Sequence, residues 1–222
     1  MKPASSSYLG LFPALIQKNK LDLNLDSLKE FCYQMRQKDE KGVRTQCAPG
    51  INSSLGGWQS DNVFDETHEE FIKLKKEIVR CANEYHRELE FKKTFHQEIG
   101  NIWININQKG QSNGYHDHPF SLFSGAFYFN VETPIVFRHP YADISLYYWN
   151  EDVIEKWNPA NSGTWFFTPE PNFLIIFPAW LQHKVVINTE DSDRISISFN
   201  LQRDDKWKDH RIEYIMHERK KI

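Results

Sequence analysis

Arg194-Ile195-Ser196-Ile197-Ser198-Phe199-Asn200-Leu201 alternates polar and apolar residues without a break. Period two is the signature of a β-strand, whose successive side chains leave opposite faces. One face carries Arg194, Ser196, Ser198 and Asn200, and the other carries Ile195, Ile197 and Phe199. Ile102, Ile104 and Ile106 alternate in the same way with Trp103, Asn105 and Asn107. Two such strands predict a sheet with one aliphatic face and one face able to offer amides, hydroxyls and a guanidinium. Solvent is the plain alternative for the polar face at Ser198 and Asn200.

Working outward, the chain from Ile99 onward reads as β-structure. Ala126–Val131, Ile135–Arg138, Ser145–Tyr148, Gly163–Thr168, Phe173–Phe177 and Lys184–Asn188 join these two to make eight short strands. Eight antiparallel strands predict a mainly β fold with flanking helices around a double-stranded β-helix, a jelly-roll or cupin-like core. Seven Trp, nine Tyr and sixteen Phe fit such a β-rich body.

The preceding region reads differently. Tyr8–Ile16 is a short strand candidate interrupted by Pro13. Asp26 or Ser27 caps a helix to about Lys38, with Leu28, Phe31 and Met35 on its inner face. After a polar stretch from Asp39 to Ser60, a helix of roughly Thr67–Glu90 places Phe71, Leu74, Ile78, Cys81, Ala82 and Tyr85 at three-and-four spacing. The expected organisation is one domain over 1–222, with 1–98 as helical buttress and first strand, 99–202 as jelly-roll core and 203–222 as tail.

Composition limits the function classes. A chain of 222 residues with a formal charge of −3 lacks the basic footprint of a nucleic-acid or anionic-membrane binder. Its apolar runs are too short to span a bilayer. Cys32, Cys47 and Cys81 are odd in number and scattered, so they make neither a disulfide framework nor a zinc pattern. Met1–Tyr8 lacks the apolar core of a secretory signal. A cytoplasmic location is expected, with a homodimer as an open option.

The chemistry sits in Tyr115-His116-Asp117-His118-Pro119, with His183 and Arg194 downstream. On a strand, residues i and i+2 share a face roughly 6–7 Å apart, so His116 and His118 can converge on one ion. His183 can close a facial set that keeps coordination positions open, as catalytic metals require. Asp117 points to the other face unless a bulge turns it inward to replace His118. Hydrogen-bonded histidines without a metal are the plain alternative. Arg194 can hold a carboxylate in a two-pronged hydrogen bond. The other histidines, at 68, 86, 96, 139, 210 and 217, have no second ligand at useful spacing and are expected on surfaces.

From about Leu11 to Gln202 the chain resembles the 2-oxoglutarate/Fe(II) oxygenase family related to prolyl hydroxylases, of the type met in marine bacteria and their phages. The resemblance rests on Gly56-Gly57-Trp58-Gln59-Ser60, Trp103-Ile104-Asn105 leading to Gly110 and the histidine pair, and Ser124-Gly125-Ala126-Phe127-Tyr128. Phe177-Pro178-Ala179-Trp180-Leu181-Gln182-His183 and Arg194-Ile195-Ser196-Ile197-Ser198-Phe199-Asn200 complete it. The common triad of such oxygenases is His-x-Asp/Glu…His, and His118 stands where the carboxylate would be. The resemblance implies Fe(II) held by His116, His118 and His183, and 2-oxoglutarate gripped by Arg194 with Ser196. Tyr128 and Asn105 are further candidates for the cosubstrate, against simple ring packing and strand-end closure. Phe177, Pro178 and Trp180 are expected to wall the distal histidine. The implied reaction consumes O2, releases succinate and CO2, and hydroxylates an amino acid, a peptidyl residue or a small metabolite. Tyr147, Tyr148, Trp149, Trp157 and Trp165 would form a lid, a rim or dimer contacts. Two alternatives remain: a three-histidine cupin-type dioxygenase without 2-oxoglutarate, and a non-catalytic jelly-roll binding module.

Overall fold

A computed structural model of the chain describes residues 10–42, 54–55, 57–130 and 134–204. Met1–Tyr8, Cys47, Gly56, Val131, His210, His217 and the tail beyond Asp204 lie outside them, so the expectations placed there are not addressed.

Two antiparallel sheets carry the fold. The larger has six strands in the order β1 (Gln17–Lys20), β9 (Phe173–Pro178), β6 (Phe123–Tyr128), β11 (Arg194–Arg203), β4 (Gln97–Asn107) and β3 (Trp58–Gln59). The smaller has five, in the order β2 (Ser54–Leu55), β5 (Ser112–His116), β10 (His183–Val185), β7 (Ile135–Arg138) and β8 (Thr164–Phe167). Strands consecutive in the chain frequently fall in different sheets, the mark of a jelly roll, and the mainly β expectation holds.

Helices α1 (Leu25–Lys38) and α2 (Glu69–Glu88) cover the outer face of the six-stranded sheet. Helix α1 starts two or three residues earlier than expected because the Asn24 side chain, not Asp26 or Ser27, is the cap, accepting the Ser27 amide at 3.1 Å. Helix α2 buries Phe71, Leu74, Ile78, Cys81, Ala82 and Tyr85 as the spacing predicts, with His86 beside them. They meet Ile102, Ile104 and Ile106 of β4 and Ile195, Ile197, Phe199 and Leu201 of β11 in the main core. A second cluster lies between the sheets, where Ala126, Tyr128, Ile175 and Phe177 meet Ile135, Phe137 and Leu181. Odd and even positions of β6, β9 and β11 thus feed two separate interiors. No helix among the described residues is long and apolar enough to cross a membrane.

The structure corrects three expectations. Residues 10–16 form no strand, and the first strand begins at Gln17, paired with Ile176 of β9. Ser145–Tyr148 lies within a short helix, α3 (Ala142–Tyr148), despite its strand-favouring tyrosines, since its backbone bonds run locally from Ser145 N to Tyr141 O. The strand expected to carry the histidine pair is β5, but it ends at His116 and leaves His118 beyond it. Ser112-Asn113-Gly114-Tyr115-His116 carries no aliphatic alternation, and its pairing with β10 makes it a strand. Gly110, at a φ of 82°, closes the turn that leads into it.

Candidate active site

The polar faces of β4 and β11 point into a cavity of about 350 Å³ between the sheets. Ser198 and Asn200, like Arg194 and Ser196, line this cavity and do not form a solvent face. Asn105 lines it too and donates its side-chain N–H to the Ser198 hydroxyl at 3.0 Å.

His116 and His183 face each other across the β5–β10 pair, their rings 4.3 Å apart. The His116 Nδ1 lies 2.8 Å from the Gly114 carbonyl, and the His183 Nδ1 lies 3.0 Å from the Leu181 carbonyl. A carbonyl can only accept, so each Nδ1 is the protonated nitrogen and each Nε2 keeps its lone pair. His118 stands just past the end of β5, in a loop tied down by its own amide donating to the Ala179 carbonyl at 2.9 Å. Its place opposite His183 therefore comes from that loop and not from strand alternation. The two Nε2 atoms are 3.3 Å apart.

One ligand atom from each of the three histidines lies within 4.8 Å of the others, a grouping that could hold a metal ion. Metal–nitrogen bonds of roughly 2.0–2.1 Å at right angles put ligand atoms about 3 Å apart, so small ring movements close the set. Burial keeps all three imidazoles neutral: it holds His118 down to about 3, and His116 and His183 below the usual histidine range. Neutral imidazole is the form that binds a metal, and three such donors suit Fe(II). Asp117 is exposed and stands outside this set, so the bulged register finds no support in the geometry.

Arg194 sits across the cavity, 3% exposed, with its guanidinium carbon 5.6 Å from the centre of the Tyr128 ring. No carboxylate among the described residues pairs with it, and burial lowers its proton affinity. A buried cation without a counter-charge is costly, and a carboxylate ligand would relieve that cost. The Tyr128 hydroxyl, pushed up to about 12 by burial, remains a donor. Ser196 pairs with Tyr128 in the β6–β11 register, so both stand on the Arg194 side of the cavity.

The wall of the distal histidine differs from expectation. Phe177 meets the His183 ring edge-on at 4.8 Å, but Trp180 is 56% exposed and takes no part. Phe137, its register partner on the neighbouring strand β7, contributes instead at 6.1 Å. Nor does His86 lie on a surface: it is buried, held between the Lys92 carbonyl and Gln97. Tyr147, Tyr148, Trp149, Trp157 and Trp165 are exposed, and none of them lines the cavity.

Sequence reasoning missed Asn188. Fully buried, it donates to the carbonyls of Asn107 and Ser192 and accepts from the Glu190 amide, shaping the crossing between the sheets that separates His183 from Arg194. Helix α1 braces the same crossing, with Tyr33 donating to Asp193 at 3.1 Å. The strand expected over Lys184–Asn188 ends at Val185, and an asparagine read as a strand end carries no pattern that would announce this role.

Residues 101–200 match the family model described as "Putative 2OG-Fe(II) oxygenase". Over those 100 of its 222 residues the chain matches this family. It is an oxygenase whose cofactors are Fe(II) and 2-oxoglutarate, and the donor set and the unpaired guanidinium fit both. Among curated proteins none matches the chain. Solved structures with the double-stranded β-helix fold resemble this oxygenase at low identity. A Pseudomonas putida prolyl-4-hydroxylase is 10% identical, with a TM-score of 0.53, 85% of this chain covered and 92% of that one. A Trichoplax adhaerens prolyl hydroxylase, in complex with a hypoxia inducible factor peptide fragment, is 12% identical, with a TM-score of 0.54 and coverages of 84% and 83%. The epimerase SnoN of nogalamycin biosynthesis, in complex with Fe3+, alpha ketoglutarate and nogalamycin RO, is 11% identical, with a TM-score of 0.56 and coverages of 85% and 79%. Bound partners as different as a peptide fragment and nogalamycin RO occur on this scaffold, so the fold alone does not name a substrate.

Proposed function

We propose that this oxygenase hydroxylates a C–H bond of an amino acid, a peptidyl residue or a small metabolite, with His116, His118 and His183 as its iron ligands. The observation that carries the reading is the convergence of three neutral histidines opposite an unpaired buried arginine. Iron with 2-oxoglutarate supplies O2-dependent decarboxylation to succinate and CO2, coupled to oxidation of the substrate. Everything else falls to the chain's own residues.

The Gly114 and Leu181 carbonyls hold the His116 and His183 rings so that each Nε2 faces the centre. Arg194 grips the cosubstrate's remote carboxylate, with Ser196 and Tyr128 offering hydroxyl donors beside it. Asn105 fixes Ser198 and thereby shapes the floor between the two ends of the cavity. Phe137 and Phe177 exclude water from behind His183. The protein thus positions and shields, while the bound group carries the difficult chemistry.

Replacing His116 or His183 with alanine tests the ligand set. Each variant should fold, lose stoichiometric iron and release no succinate. Metal analysis of the purified proteins reads the first effect directly, and full iron in both variants would remove the assignment. Iron binding without any 2-oxoglutarate binding would favour a three-histidine dioxygenase instead.

A further inference from the structure

The end of the cavity away from Arg194 has a different chemistry. Asn200 stands six positions beyond Arg194 on β11, about 20 Å along an extended strand, directly opposite Asn101 of β4. The Ser124 hydroxyl donates to Oδ1 of Asn200 at 2.7 Å, which turns the Asn200 Nδ2 group out as a free donor among the described residues. Trp103 lies between this asparagine pair and the histidines, its ring 5.8 Å from that of His118. A group resting on Trp103 and bonded to the asparagines would therefore stand beside the metal centre.

Charge selects what that group can be. Among the described residues lining the cavity, Arg194 is the only lysine or arginine, and the cosubstrate uses it. Asp117, the only carboxylate there, is exposed at the mouth. A carboxylate entering the asparagine end would pass a like charge and shed its water with no counter-ion to meet it. An amide or hydroxyl exchanges its water for equivalent bonds to asparagine, which both donates and accepts. Size adds a second limit. About 350 Å³ is near the low end of the roughly 300–1,000 Å³ typical of ligand pockets, and it must also hold the cosubstrate.

We infer that the Asn101–Asn200 end is the substrate subsite of the oxygenase reaction proposed above, on which this inference rests. It takes a small uncharged group bearing amide or hydroxyl functions, with Asn101 and Asn200 determining specificity. A peptide segment and a small neutral metabolite share that chemistry.

The test titrates the oxygen-free iron- and 2-oxoglutarate-loaded protein with a panel of N-acetyl amino-acid amides. The same compounds with a free carboxylate, and capped tripeptides with the same central residue, form the other arms. Binding is read from the iron–2-oxoglutarate charge-transfer band and from tryptophan fluorescence. At least one amide should bind, about tenfold or more tighter than its acid twin, the worth of one well-made polar contact. Asn101→Ala and Asn200→Ala should each weaken it by a similar factor while leaving 2-oxoglutarate affinity unchanged. Asn101→Lys should raise the acid twin to parity or above. Tripeptides that bind tighter than single residues identify a peptide source, and equal binding identifies a small metabolite; either supports the subsite. An acid twin that binds as well as its amide in the wild type, or no amide binding while the band forms normally, overturns it. Failure of the band itself overturns the oxygenase reading and this inference with it.

Discussion

Arg194 is a cation buried at the end of a strand, facing a cavity and lacking a carboxylate partner among the described residues. Stability alone would not select it there, since an unpaired buried charge is a liability. Truncating one side of a buried charge pair costs about 2–5 kcal/mol, and each 1.4 kcal/mol is about a factor of ten. Arg194→Ala should therefore weaken 2-oxoglutarate binding roughly 30-fold or more and leave iron affinity nearly unchanged. Titration of the charge-transfer band in both proteins checks this, and equal affinities would leave the cosubstrate without its clamp. At the metal, His118→Asp introduces the carboxylate of the commoner triad and should retain iron, whereas Asp117→Ala should retain both iron and activity. If iron instead vanished with Asp117 and survived His118→Ala, the ligand at this loop would be the aspartate.

At the scale of elements, the crossing between β10 and β11 decides whether ligand and clamp face one another. Asn188 is its pin, with three side-chain hydrogen bonds to backbone groups. Asn188→Ala leaves buried carbonyls unpaired and should destabilise the protein by about 1–3 kcal/mol, measured by denaturant unfolding. The same variant should bind 2-oxoglutarate more weakly through displacement of Arg194, with iron stoichiometry preserved. What the sequence makes legible at this scale follows from periodicity. β4, β11 and α2 announce themselves because one face of each meets a continuous apolar core. The histidine trio and Arg194 are legible because metal and carboxylate chemistry restrict residue type and spacing. β5 has no such face, and its existence depends on pairing with a strand nearly seventy positions away. The tyrosines of α3 favour a strand in isolation and yield to local backbone bonding. Trp180 looks like a wall because it adjoins Phe177 in sequence, yet it points outward once the turn after β9 is formed.

For the whole molecule, the proposed sites for iron and cosubstrate lie on different sheets, so the two together would bridge them. The candidate iron ligands belong to β5, its following loop and β10, whereas Arg194, Ser196 and Tyr128 belong to β11 and β6. A ligand held by both layers binds the folded state and not the unfolded chain. At a hundredfold excess over its dissociation constant such a ligand stabilises by about 2.7 kcal/mol. For a chain of this size each kcal/mol shifts the melting temperature by about 2–4 °C. Oxygen-free iron and 2-oxoglutarate together should therefore raise the melting temperature by about 5–10 °C in the wild type. Arg194→Ala should keep only the part due to iron, and an equal rise in that variant would argue against a bridging cosubstrate.

The register of β4 against β11, from Asn107 with Arg194 to Gln97 with Arg203, also bears on how the protein is made. A ribosome releases β4 roughly a hundred residues before its central partner. Until then Ile102, Ile104 and Ile106 have α1, α2 and β3 beside them but lack their longest partner strand, because β6 reaches β4 through β11 alone. Such distant pairing is slow to form and leaves a nascent chain exposed to aggregation. The histidines and the arginine therefore meet late in biosynthesis, and iron cannot find its full ligand set before residue 183 has emerged. A ribosome-bound chain arrested before β11 has emerged should remain protease-sensitive across β4, and should acquire protection only once residues 194–203 have left the ribosome.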